Sequence, residues 1–208
     1  MTIFQTFKDF IKVGSKADLY TKCEPFLKES GGLPLYRGYG MELSAKLHGQ
    51  REVTVRKDRK PRDSNKETHE IMNAFFMKKY GVNVRSEGLF SVGDVDAARS
   101  YGHPHYVLPV GEFKYIWAEL NGKPVRDTLV VAQKIRQAIN LQPSAKQQEI
   151  AFDVLNQFTW HSDNLKKAIT SGAEITLLCD KAIIIPVTDK SYSPAEIESR
   201  YSSLIKHD

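Results

Sequence analysis

The stretch Gly88-Leu89-Phe90-Ser91-Val92-Gly93-Asp94-Val95-Asp96-Ala97-Ala98-Arg99-Ser100-Tyr101 decides how this chain is read. Gly88 to Val92 form a short, mostly apolar run, the pattern of a strand, and a short Ala-containing helix follows from Asp94 to Tyr101. Upstream, Ser64 or Asn65 caps an expected helix over 64–79, with Ile71, Met72, Phe75 and Phe76 on its apolar face and Gly81 as its stop. Residues 82–85 read as a strand, as do 105–110 and the aromatic-rich 113–118.

Further out, 127–140 and 144–158 are amphipathic helices, and 162–170 is a third that ends at Gly172. Two strands follow, 174–179 and 181–187, before Ser193-Pro194 opens a terminal helix. Toward the N-terminus, two helices occupy the first thirty residues, and 33–40 and 52–56 are strands. Helices early and late, with short strands between and after them, give an α+β fold. The expected organisation is one domain over 1–208: a helical extension at 1–30, a core at 33–187 and a terminal helix at 193–208.

The 208 residues are 41% hydrophobic and 26% charged, a globular composition long enough for a full core. The longest apolar stretch, 182–187, is far short of the roughly 20 residues of a bilayer helix, and residues 1–13 mix charges with apolar positions unlike a secretory signal. No membrane partner and a cytoplasmic location are therefore expected. Cys23 and Cys179 each sit in an apolar segment without CxxC spacing, so buried thiols are expected and no metal site. Between Arg51 and Lys66 lie seven positive and three negative charges, most of the net +5 of the chain. Such a block reads either as a site for an anionic partner or as a solvated loop.

GxGxxG after a strand, a P-loop, HExxH and GxSxG are all missing. What remains is an ordered set of three pieces: Tyr36-Arg37-Gly38 ending a strand, Gly88-Leu-Phe-Ser91 leading into an Ala-containing helix, and Glu174-Ile-Thr-Leu opening a late strand. In this order they resemble the mono-ADP-ribosyltransferase family of the Arg-Ser-Glu type, including small bacterial and phage-encoded members. The resemblance spans roughly residues 33 to 187.

It implies two small packed antiparallel sheets forming a cleft for NAD, which is a substrate and not a resident cofactor, and a place of action in the host cytoplasm if the chain is phage-encoded. Arg37 would hold the pyrophosphate, and Gly38 would leave its backbone N–H and C=O open to the nicotinamide carboxamide. Glu174 would stabilise the oxocarbenium-like state as the nicotinamide–ribose bond breaks. Ser91 would bond the ribose or hold that Glu, and Phe90 or Tyr101 would offer an aromatic face. Arg59, Arg62 and His69 are candidates for contact with the NAD phosphates or with the acceptor, a protein or nucleic acid.

The family's Ser-Thr-Ser is reduced to Phe90-Ser91-Val92, leaving one hydroxyl, and Gly172 stands where arginine-modifying members carry a second Glu. Acceptors other than arginine, or water, gain weight, so an NAD glycohydrolase on the same fold is one alternative. The other is a non-catalytic module that binds nucleic acid through residues 51–66.

Overall fold

The computed structural model describes residues 16–47, 51–61 and 64–187. The expected helices before residue 14 and after 193, and Arg62, lie outside the described residues. Along the chain run α1 (Lys16–Ser30), β1 (Tyr36–Tyr39), α2 (Met41–Lys46), β2 (Arg51–Thr54), α3 (Lys66–Tyr80), α4 (Val84–Glu87), β3 (Leu89–Val92), α5 (Val95–Arg99) and β4 (His103–Val110). Then come β5 (Lys114–Leu120), β6 (Lys123–Pro124), α6 (Leu129–Ile139), α7 (Ser144–Asn156), β7 (Thr159–His161), α8 (Leu165–Ser171), β8 (Glu174–Leu178) and β9 (Lys181–Pro186).

The fold is α+β. Its strands join in one path, β2-β9-β4-β1-β3-β8-β5-β6, with β7 branching from β5, and every pairing is antiparallel. The expected pair of sheets is thus a single connected sheet. β5 links its two parts by changing partner midway, pairing β8 through Lys114 to Ile116 and β7 through Trp117 to Glu119.

One core lies on the sheet face that carries Leu89, Ile175, Leu177, Val107 and Trp117, closed by α1 and α8. The segment expected as an extension therefore belongs to this core, because α1 buries Leu19, Cys23, Phe26 and Leu27 in it. The second core packs Met72, Phe75 and Phe76 of α3 with α6, α7, Ile116, Ala118 and Trp160. A smaller cluster of Tyr36, Val92 and Ala98 seats α5 on β1 and β3.

Local chemistry sets the ends of α3 as read from sequence: the Asn65 side chain accepts from Thr68 N, and Gly81 takes the left-handed conformation at φ 70°. The expected strand at 82–85 is instead the start of the one-turn helix α4. The Asn73 Oδ1 accepts the backbone N–H groups of Arg85 (2.9 Å) and Ser86 (3.3 Å), and this tertiary capping overrides the β-branched pattern of Val82 and Val84.

Candidate functional site

The site forms where the sheet comes apart. β1 pairs with β3 only at Tyr36 and Val92, whereas its ladder with β4 continues to Tyr39. The Leu35 carbonyl accepts from Val107 N, so Leu35 and Arg37 turn their backbone groups toward β4, and Tyr36 and Gly38 turn theirs toward β3. Gly38 and Phe90 would be the next ladder pair. Instead the Arg37 Nη1 donates to the Phe90 carbonyl at 2.6 Å, and the β1–β3 ladder stops there.

Phe90 gathers the charge. The Arg59 guanidinium lies 5.1 Å from its ring centroid and that of Arg85 4.9 Å, while Arg37 lies 5.4 Å from the ring of Tyr39. Arg59 Nη1 also donates to the Gly88 carbonyl at 2.5 Å, and its backbone N–H bonds the Ser86 carbonyl. Burial first, then the charges of Arg37 and Arg85, push the Arg59 guanidinium down to about 10, so it stays cationic at neutral pH. Among the described residues neither Arg37 nor Arg59 makes an ion pair with a carboxylate.

A relay connects this cluster to Glu174. Arg85 Nη1 donates to Thr128 Oγ1 at 2.8 Å, and Thr128 Oγ1 donates to Glu174 Oε1 at 2.5 Å. Glu174 is 8% exposed. Burial raises its pKa above the ordinary carboxylate value, against the hydrogen bond from Thr128. Glu174 and Phe90 border one crevice, along with Arg85, Thr128, Thr176 and Trp160.

Behind Arg85, His69 Nε2 lies 3.0 Å from Ser86 Oγ, to which Asn73 Nδ2 donates at 2.7 Å. His69 is buried, and desolvation together with Arg85 and Arg59 lowers its pKa, so its ring is neutral at pH 7.

Five of the residues read from sequence thus meet through shared neighbours: Arg37, Arg59, His69, Phe90 and Glu174. Ser91 does not join Glu174. In the β3–β8 ladder Ser91 faces Ile175 and Val92 faces Glu174, so the hydroxyl and the carboxyl point to opposite faces of the sheet. Thr128 takes the holding role expected of Ser91.

Tyr101 is 54% exposed just beyond α5 and does not line the crevice beside Glu174, and the Phe90 ring has guanidiniums over it. The missing Cβ of Gly38 has a packing use, since it would fall 2.2 Å from the Ala98 carbonyl. Arg85, Thr128, Asn73 and Ser86 escaped the sequence reading. No local pattern marks any of them, and a strand over 82–85 hid the turn that aims Arg85.

The basic segment is less basic in place than in sequence. Arg56 pairs with Asp58 and Lys57 with Asp180, whereas Arg59 turns inward. Among the described residues no cluster of His, Cys, Asp and Glu suits a metal ion, and no helix is long and apolar enough to cross a membrane. Comparison with protein-family models, with characterised proteins and with solved structures finds no match.

Proposed function

We propose that the chain binds NAD beside Phe90, where the β1–β3 ladder stops, and transfers its ADP-ribosyl group to an acceptor, releasing nicotinamide. The observation that carries this reading is the convergence of the Arg37, Arg59 and Arg85 guanidiniums around Phe90, two of them without a carboxylate partner among the described residues. Like charges gathered in a partly buried place are costly unless an anion joins them, and guanidinium geometry suits a pyrophosphate.

Buried polar atoms support the same reading. Arg37 Nε and Ser91 Oγ have no hydrogen-bond partner, a state native interiors rarely leave uncompensated. A ligand with polar groups would satisfy Arg37 Nε.

Glu174 then acts on the bond that breaks. The electron pair of the nicotinamide–ribose bond leaves with nicotinamide, and positive charge develops on the ribose. That charge, brought next to a carboxyl whose pKa burial raises, favours the ionised form, so substrate itself promotes the charge state that stabilises the transition state.

Purified protein incubated with NAD is expected to release nicotinamide, and inorganic pyrophosphate is expected to compete. Absence of both NAD binding and nicotinamide release would sink the reading.

A further inference from the structure

The geometry points to Ser86 as an acceptor hydroxyl of this site, activated by His69, so that the protein ADP-ribosylates itself. This rests on the NAD reading above and adds to it the identity of an acceptor.

The hydrogen bonds around Ser86 leave its proton free for His69. Asn73 Oδ1 accepts from two backbone N–H groups, of Arg85 and Ser86, so the orientation of its amide is set and its Nδ2 must be the donor to Ser86 Oγ. With one acceptor lone pair used, the Ser86 O–H can donate to His69 Nε2 at 3.0 Å in the tautomer that leaves Nε2 unprotonated. In that tautomer Nδ1 carries the ring proton, and it is buried without a hydrogen-bond partner. One lone pair on Ser86 Oγ stays available for attack.

Position supplies the second half of the argument. Ser86 follows Arg85 directly, its carbonyl holds the Arg59 backbone, and it lies two residues before Gly88, whose carbonyl holds the Arg59 guanidinium. A pyrophosphate gripped by Arg59 and Arg85 therefore has a base-paired hydroxyl on its flank, and Ser86 is partly exposed. A serine that only braced α4 would need Asn73 and would gain nothing from a neutral histidine beside two guanidiniums.

In the step itself, Ser86 Oγ bonds to C1′ of the ribose and its proton passes to His69 Nε2. The C1′–N bond breaks with its electron pair on the pyridine nitrogen, giving neutral nicotinamide and an O-glycoside on Ser86. His69 then returns its proton to solvent.

The test is to incubate the full chain with NAD, quantify nicotinamide, and map the modified residue by peptide mass spectrometry. One ADP-ribosyl unit is expected on Ser86, resistant to neutral hydroxylamine as an ester on a carboxylate would not be, at a rate per molecule independent of protein concentration. Ser86→Ala should lose this label and Ser86→Thr should retain part of it, with thermal melting showing that both are folded. His69→Gln should slow labelling on the order of 10²-fold, the usual contribution of a general base. Nicotinamide release with no label on Ser86, or equal labelling of Ser86→Ala, overturns the inference and leaves the NAD reading standing. If nicotinamide is not released and no label appears, the NAD reading falls and takes this inference with it.

Discussion

Two sets of cations lie a few residues apart and behave differently. Arg56 and Lys57 are exposed and each has an aspartate, Asp58 and Asp180, at hydrogen-bond distance. Arg59 turns inward to Phe90 and Gly88, beside Arg37 and Arg85. In sequence Arg56, Lys57 and Arg59 belong to one basic block; in the fold, the outer two are paired with aspartates, and Arg59 joins Arg37 and Arg85 around Phe90 without an ion pair of its own among the described residues. The sign of a charge run says little until the positions of the carboxylates are known.

The sharpest way to break this contrast is at the carboxyl reached from the inner set. Glu174→Gln should lower the turnover of nicotinamide release by a factor on the order of 10² to 10³, with a much smaller change in NAD affinity. An unchanged turnover would remove Glu174 from the chemistry and reduce the inner set to a binding device.

Next in size is the inner set itself. Saturating pyrophosphate, at a hundred times its Kd, should stabilise the wild type by about 2.7 kcal/mol in thermal unfolding, and Arg59→Ala should abolish most of that protection. The variant without ligand should melt close to wild type, because losing the Gly88 hydrogen bond is offset by relief of repulsion from Arg37 and Arg85. A strongly destabilised Arg59→Ala would mean that the arginine is there for the fold.

The pH dependence follows from Glu174. Its folded pKa is raised above the unfolded value, so ionisation costs stability, and the cost appears as pH rises through the unfolded pKa, about 4.3, and levels off above the folded one. Glu174→Gln should match wild type in acid and gain on it as pH rises. Unfolding curves of the two proteins that stay parallel from acid to neutral pH would show that the carboxyl is not held neutral.

The smallest effect belongs to the outer set. Asp180→Asn releases Lys57, yet exposed pairs of this kind contribute little, and neither the melting temperature nor the KM for NAD should move detectably. A changed KM would draw the outer cations into the ligand site.

What could be read from sequence follows the range of the forces involved. The ends of α3 were legible because Asn65 and Gly81 cap it through contacts a few residues away. Arg37, Arg59, His69, Phe90 and Glu174 were legible as residue types in order. That Ser91 and Glu174 face apart was not, since it depends on the parity of the β3–β8 register, and a shift of one residue would have reversed it. Arg85 and Thr128 were hidden for a similar reason: the partners that give them meaning, Asn73 and Glu174, are 12 and 46 residues away.

The interrupted ladder at Arg37 also bears on how the chain behaves in company. A strand edge with free N–H and C=O groups is a template on which other chains can add, and here the β1–β3 ladder stops short of the Gly38 and Phe90 positions, inside a sheet and not at its rim. The guanidinium laid across them is a charged plug of the sort that keeps natural sheet edges from pairing with strangers. Under the proposed reading Arg37 has a second duty, guarding this interruption against self-association, and crowded protein lacking it would be expected to reveal that duty as turbidity before any loss of secondary structure.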